Sequence, residues 1–186
     1  MIPNLDGGLT TPSVIWYNQD EIYVGKKAVA QKTISGSNSI EFIKRGIGKG
    51  ESSNRYEIWG EEYTPEELSA LLLYRLVKDA NIWLKNQKLI SADIQNVVIT
   101  VPANFNDNQR NATKLAGSLA GLNVLSIINE PTAAAIAHGV AFTNNIKFLV
   151  FDLGGGTFDL TLMGVRDQNN LEVFASDGHM ELGGKD

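Results

Sequence analysis

The chain has 186 residues, with 16 Lys and Arg against 21 Asp and Glu, a formal charge of -5 at pH 7. An apolar share of 43% is enough to build a core, which excludes a disordered chain, and the acidic balance argues against nucleic acid or an anionic membrane as a partner. Zero cysteines exclude disulfides, thiolate metal sites and cysteine nucleophiles, and fit a reducing compartment.

The opening run Met1-Ile2-Pro3-Asn4-Leu5-Asp6-Gly7-Gly8 lacks the basic flank and apolar stretch of an export signal, so a cytoplasmic location is expected. Ser13-Val14-Ile15-Trp16-Tyr17 and Ile22-Tyr23-Val24 are β-rich runs around the polar Asn18-Gln19-Asp20-Glu21, which predicts a hairpin. Residues 26–33 and 39–45 each read as a short helix, with Ser35-Gly36-Ser37-Asn38 as the break. Gly46-Ile47-Gly48-Lys49-Gly50 followed by Glu51-Ser52-Ser53-Asn54 reads as a loop, since it matches neither the Walker spacing nor a dinucleotide fingerprint. A second hairpin is expected around Tyr56-Glu57-Ile58-Trp59, with Gly60-Glu61 as its turn.

Thr64-Pro65-Glu66-Glu67 is the clearest helix start: Thr64 can cap, Pro65 needs no amide hydrogen, and Glu67 can reach back. Behind it Leu68, Leu72, Leu76, Ala80 and Leu84, widened by Leu71 and Trp83, predict one packed stripe. Arg75, Lys78 and Asp79 interrupt this stretch, so it falls short of the roughly 20 apolar residues that span a bilayer.

From Val97 the pattern alternates. Val97-Val98-Ile99-Thr100-Val101 is a strand, and Asn106 with Gln109 caps a helix whose inner face carries Ala112, Leu115, Ala116, Leu119 and Ala120 and which ends at Gly121. Residues 124–128 form the next strand and 131–138 the next helix, so a layered α/β sheet is expected. Residues 147–151, 157–165 and 171–175 complete the chain as strands without helices between them. The breaks near Gly60 and Thr143-Asn144-Asn145 are the candidate boundaries.

The strongest chemical feature is Phe151-Asp152-Leu153-Gly154-Gly155-Gly156-Thr157-Phe158-Asp159. Glycines let main-chain N–H groups close on a phosphate, and Asp152, at the end of a buried strand, would hold Mg²⁺ or its water shell beside it. The competing reading is a tight hairpin whose aspartates bond turn amides. Glu130, in Asn129-Glu130-Pro131-Thr132, would either orient a metal-bound water at a strand end or simply start a helix. Lys44, in Phe42-Ile43-Lys44-Arg45, would either neutralise a phosphate or belong to a solvated basic pair. His138 and His179 lack metal-ligand spacing, and no serine, histidine and aspartate arrangement is visible.

Taken together, Thr10-Thr11-Pro12-Ser13, Phe42-Ile43-Lys44-Arg45, Val98-Ile99-Thr100-Val101-Pro102-Ala103 with Phe105-Asn106-Asp107, Ile127-Ile128-Asn129-Glu130-Pro131-Thr132-Ala133-Ala134-Ala135 and Asp152-Leu153-Gly154-Gly155-Gly156-Thr157-Phe158-Asp159 occur in the order seen in DnaK-type 70-kDa heat-shock chaperones. The final Leu182-Gly183-Gly184-Lys185-Asp186 resembles a further motif of that family. The resemblance implies an α/β, actin-like (ribonuclease-H-like) ATPase domain, here partial. Residues 1–144 would form a first lobe, divided into a smaller subdomain at 13–64 and an α/β subdomain at 65–144, and residues 145–186 would start a second lobe. It implies ATP and ADP as ligands with Mg²⁺, and ATP hydrolysis that drives a chaperone cycle of protein folding in the stress response. By this likeness Lys44 contacts the γ-phosphate and attacking water, Glu130 and Asp152 hold the Mg²⁺ shell, and Gly154, Gly155, Gly156 and Thr157 cradle phosphates. Asp159 helps place the water, and Pro102 and Arg110 relay nucleotide state to a peptide-binding domain. J-domain co-chaperones and a nucleotide exchange factor are the implied partners, with Asn129 and Thr132 on the co-chaperone face.

Departures from the family pattern carry expectations of their own. The sequence starts after the family's first phosphate hairpin and stops early in the second lobe, so unpaired sheet, marginal stability and negligible hydrolysis by this chain alone are expected. The segment from Gly48 to Thr64 is short, as in divergent bacterial members, and Ser126 replaces a basic residue that engages J-domains. In Gly178-His179-Met180-Glu181 the usual acidic and Thr positions are changed. Two other classes stay open: a non-enzymatic interaction module that pairs through its sheet, and another actin-like phosphotransferase such as a sugar kinase.

Overall fold

Alternation in the first strand decides how the amino-terminal part packs. In the computed structural model, which describes residues 1–35, 38–50, 55–139, 145–166, 170–179 and 181–184, β1 (Ile15–Tyr17) pairs antiparallel with β2 (Ile22–Val24) and with β3 (Ser39–Ile40). Val14 and Trp16 pack with Ala28 of α1 (Lys26–Ser35), while Ile15 joins Val24, Ile40, Ile43, Ile58 and Leu68 in the main core. Successive strand residues face opposite ways, so one strand feeds two apolar clusters.

The predicted helix over residues 39–45 is not formed. Ile40 pairs with Ile15 as a third strand, and only Ile43–Arg45 coils, as a 3₁₀ turn. The open edge of β1 offers residue 40 ladder bonds, and Phe42, left-handed at φ 55, separates the strand from the turn. The break at Gly36-Ser37 and the run Glu51-Ser52-Ser53-Asn54 lie outside the described residues.

β4 (Tyr56–Ile58) and β5 (Glu61–Tyr63) form the second hairpin, with Ile58 opposite Glu61. Its turn is therefore Trp59-Gly60 and not Gly60-Glu61: φ is 56 at Trp59 and 80 at Gly60, the pair of positive values that a two-residue hairpin of matching twist needs. The Trp59 indole N–H donates to the Asn18 carbonyl, and the Tyr17 hydroxyl donates to the Glu57 carbonyl at 2.9 Å, tying the two hairpins together.

α2 (Pro65–Asn86) begins with the expected capping box, Thr64 Oγ1 accepting from Glu67 N at 3.2 Å and Glu67 Oε2 from Thr64 N at 2.8 Å. Its predicted stripe is only partly inward. Leu68 is buried but Leu76 is exposed, and the fully covered positions include Ala70 and the charged Asp79, 2% exposed. Asp79 is held by Arg75 Nε at 2.8 Å and Leu5 N at 3.3 Å, and Arg75 also bonds Asp6. A charge is buried there because its hydrogen bonds are supplied, by Arg75 one turn back and by the amino-terminal segment.

Among the described residues β6 (Asn96–Val101) and β7 (Asn123–Asn129) make a sheet of two strands, smaller than the layered sheet expected. Between them α3 (Asp107–Leu119) is capped as predicted by reciprocal Asn106 and Gln109 bonds, but it buries Thr113, Ala116 and Gly117 while Leu115 and Leu119 stay about half exposed. Gly121, at φ 78, takes the left-handed residue that closes the helix. After α4 (Glu130–Ala137), β8 (Ile146–Leu153), β9 (Phe158–Arg166) and β10 (Asn170–His179) form an antiparallel meander of order β10-β9-β8. The chain divides into two compact units, residues 1–97 with 111–125 and residues 98–110 with 126–186, so that β6, α3 and β7 each contribute to both. Of the candidate break Thr143-Asn144-Asn145, the first two residues lie outside the described residues. Among the described residues no helix is long and apolar enough to cross a membrane.

Candidate functional site

In the second unit, the register of β8 and β9 puts Asp152 directly opposite Asp159 and Leu153 opposite Phe158, with residues 154–157 as the connection. Gly154 N donates to the Thr157 carbonyl at 3.0 Å, so the Gly154 amide closes the turn on itself. Like charges directly opposite on a ladder repel. Two aspartates in that relation, at the two ends of a glycine turn, make a local field that a cation relieves.

The two carboxylates differ in setting. Asp159 is 3% exposed, while Asp152 is exposed, as are its neighbours Phe151 and Leu153. β8 is thus not the buried strand expected from its composition: it is the edge of a three-stranded sheet, and Leu149, Phe151 and Leu153 on its one face stay open among the described residues.

Room for the buried Asp159 is made by a glycine. Gly178 lies opposite it on β10, and a Cβ there would come within 2.5 Å of the Phe158 carbonyl and 2.9 Å of Asp159 Oδ1. Gly183 packs against the turn so closely that a Cβ would overlap the backbone of Gly155 and Gly156, and Gly184 N donates to the Gly154 carbonyl at 2.9 Å. Two glycine-rich segments, 27 to 30 residues apart in the resembled motifs, thereby become one backbone surface. The signal that reveals Gly178 is a glycine inside a strand pattern, which marks close approach of a neighbour. Met180, Lys185 and Asp186 of those motifs lie outside the described residues.

The same unit holds the Pro102, Arg110 and Glu130 candidates. Pro102 is buried, and its carbonyl accepts from Phe105 N at 3.2 Å. Arg110 Nε donates to the Phe105 carbonyl at 3.0 Å, and its Nη2 to the Ala103 carbonyl at 3.3 Å and to Asn129 Oδ1 at 2.7 Å. Arg110 therefore joins the loop after β6 to the residue that precedes Glu130. Glu130 opens α4 with Pro131 in its first turn, where a carboxylate favours the positive helix end, and α4 packs against β8, the strand that carries Asp152.

Lys44 stands in the first unit, in the 3₁₀ turn. Its neighbour Ile43 is buried in the main core, Gly46 lies against Pro65, and Gly48 N donates to Glu66 Oε1 at 2.9 Å. The segment that follows the turn is fastened to the start of α2.

Among the described residues, no group of three or more His, Cys, Asp and Glu side chains is arranged to hold a metal ion. Mg²⁺ commonly keeps several waters and takes one or two carboxylates plus phosphate oxygens, so the exposed Asp152 beside a glycine turn, with Glu130 opening the helix that packs on the same strand, would suit that ion when it arrives with a phosphate ligand. The family model described as Hsp70 protein matches residues 1–57 and 49–186, which between them take in the whole chain.

Proposed function

Because this chain belongs to the Hsp70 protein family, we propose that it carries ATP-binding apparatus of a DnaK-type chaperone ATPase domain. Family membership implies the actin-like ATPase fold, and the mixed α/β elements are consistent with it. It also supports a chaperone function related to that ATPase, with nucleotide, typically accompanied by Mg²⁺, as ligand.

The observation that carries the reading is the facing pair Asp152 and Asp159 at the ends of the turn over residues 154–157. In this proposal Asp152 and Glu130 hold the water shell of Mg²⁺, and Asp159 orients the attacking water. Gly155, Gly156 and Thr157 line the phosphate oxygens while Gly154 closes their turn. Lys44 meets the γ-phosphate, and Mg²⁺, when held by Asp152 and Glu130, would supply positive charge against the phosphate oxygens. Such transfer to water needs little covalent chemistry from the protein, so positioning and charge do the catalysis.

Arg110 and Pro102 are proposed to pass nucleotide state onward to a peptide-binding domain, with J-domain proteins and an exchange factor as partners. The support is the Arg110 link between the loop at 102–105 and Asn129, next to Glu130. Residues 1–144 and 145–186 are proposed as parts of the two lobes.

Calorimetric titration of the chain with Mg·ATP, repeated on Asp152→Ala, tests the reading. Saturable binding that weakens roughly tenfold or more in the variant is the expected outcome, as for lost metal-shell groups. A folded chain that takes up no Mg·ATP at millimolar nucleotide would sink it.

A further inference from the structure

We propose that Phe42 is a positioning residue for Lys44, its left-handed backbone setting the 3₁₀ turn and its ring bracing Arg45 so that Lys44 is held at one angle. This rests on the reading of Lys44 as a phosphate ligand.

Phe42 has φ 55 and ψ 26, a region that bulky side chains rarely occupy. The other described non-glycine residues with positive φ have local reasons for it. Asn38 and Asn145 are of the type that tolerates it, Trp59 sits in a hairpin turn, and Lys88 follows the end of α2. Phe42 has no such reason, and it immediately precedes the turn that carries Lys44. Strain of this kind persists where the surroundings over-determine it, and it collects at functional sites.

The surroundings are specific. Residues three apart eclipse in a 3₁₀ turn, so Phe42 and Arg45 share a face, and the Arg45 guanidinium carbon lies 4.2 Å from the Phe42 ring centre. Arg45 N donates to the Phe42 carbonyl at 2.9 Å, and Gly46 N to the Ile43 carbonyl at 3.0 Å. Ile43, 1% exposed, fixes a second face in the core. Lys44 therefore occupies the remaining face, between a buried anchor and a braced stack. Turning Phe42 to an ordinary φ would rotate the segment about Ile43 and carry Lys44 with it. The stack also bears on the alternative of a solvated basic pair, because Arg45 lies over a ring beside Lys44.

The test uses the full chain and its Phe42→Gly, Phe42→Tyr, Arg45→Gln and Lys44→Ala variants. Glycine accepts the left-handed backbone but lacks the ring, tyrosine keeps the ring, and glutamine removes the guanidinium. Mg·ATP and Mg·ADP affinities are read by calorimetry, and the Lys44 environment by the NMR signal of its carbon-labelled dimethylated amine. Phe42→Gly and Arg45→Gln are expected to remain folded, to shift the Lys44 signal, and to weaken ATP roughly tenfold while leaving ADP unchanged. Phe42→Tyr is expected to match the parent chain. If Lys44→Ala itself binds ATP as the parent does, the phosphate reading fails and takes this inference with it. If Lys44→Ala weakens ATP while Phe42→Gly and Arg45→Gln leave both the affinity and the Lys44 signal unchanged, the inference alone fails.

Discussion

Arg110 and Asn129 are joined by a bond of 2.7 Å from guanidinium Nη2 to side-chain Oδ1, across 19 residues of sequence. Asn129 occupies the N-cap position of α4 yet makes no side-chain cap bond. Its oxygen serves Arg110, so the residue before Glu130 is positioned by a side chain of α3 and not by its own helix. Arg110→Ala is expected to destabilise the chain by about 1.5–3 kcal/mol, the range for a hydrogen bond to a charged group, and Asn129→Ala by less. In a double-mutant cycle followed by urea unfolding, a coupling of about 0.5–3 kcal/mol is expected, and strictly additive effects would refute the link.

Glycines around the turn over residues 154–157 should differ sharply in tolerance. Gly183→Ala forces a methyl group into the backbone of Gly155 and Gly156, and Gly178→Ala forces one onto the Phe158 carbonyl. Each is expected to cost about 1–3 kcal/mol. Gly154→Ala meets nothing nearer than the Thr157 carbonyl at 3.5 Å, and its expected change is within about 0.5 kcal/mol. Chemical denaturation of the three variants checks the ranking. Equal effects would mean that the two glycine segments are not packed together.

Asp79 is the charge on which the amino-terminal turn depends. Its carboxylate accepts from Arg75 and from the Leu5 amide, and Arg75 Nη2 reaches Asp6 at 3.2 Å. Asp79→Ala leaves a partly buried guanidinium with one of its two carboxylates removed, and a loss of about 1.5–3 kcal/mol, the range for a hydrogen bond to a charged group, is expected. Hydrogen exchange at the Leu5 amide should accelerate well beyond the global change. Unchanged protection there would show that the turn is held by other contacts.

The capping box of α2 gives a smaller and cleaner effect. Thr64→Ala removes the Oγ1 acceptor for Glu67 N, and about 1 kcal/mol should be lost. Thr64→Ser, which keeps the oxygen, should recover most of it. A thermal melt distinguishes the two, and equal losses in both would argue that the methyl group and not the cap matters.

Much of the secondary structure was legible because it rests on neighbours in sequence. The Thr64 to Glu67 box, the Asn106 and Gln109 cap, the Gly121 stop and the glycine turn at 154–157 all arise from bonds within a few residues, and each stands where the chain pattern puts it. The order of motifs likewise placed the chain in its family. Periodicity failed where burial depends on a partner far away in sequence. Leu76, Leu115 and Leu119 are exposed while Asp79 and Thr113 are covered, because a stripe of side chains states only what is apolar, and what covers a face is set by other elements. Residues 39–45 became a strand and a 3₁₀ turn for the same reason, the free edge of β1 outweighing local helix preference.

By itself the sequence determined the caps of α2 and α3, the glycine turn at 154–157, the family and the residue types that suit phosphate and Mg²⁺. Only the tertiary structure decided that Asp159 is buried beneath Gly178, that Gly183 closes on Gly156, and that Arg110 holds Asn129. Those relations join residues 19 to 27 positions apart, across β-strand register and loop closure, and no pattern of nearest neighbours encodes which backbones will meet.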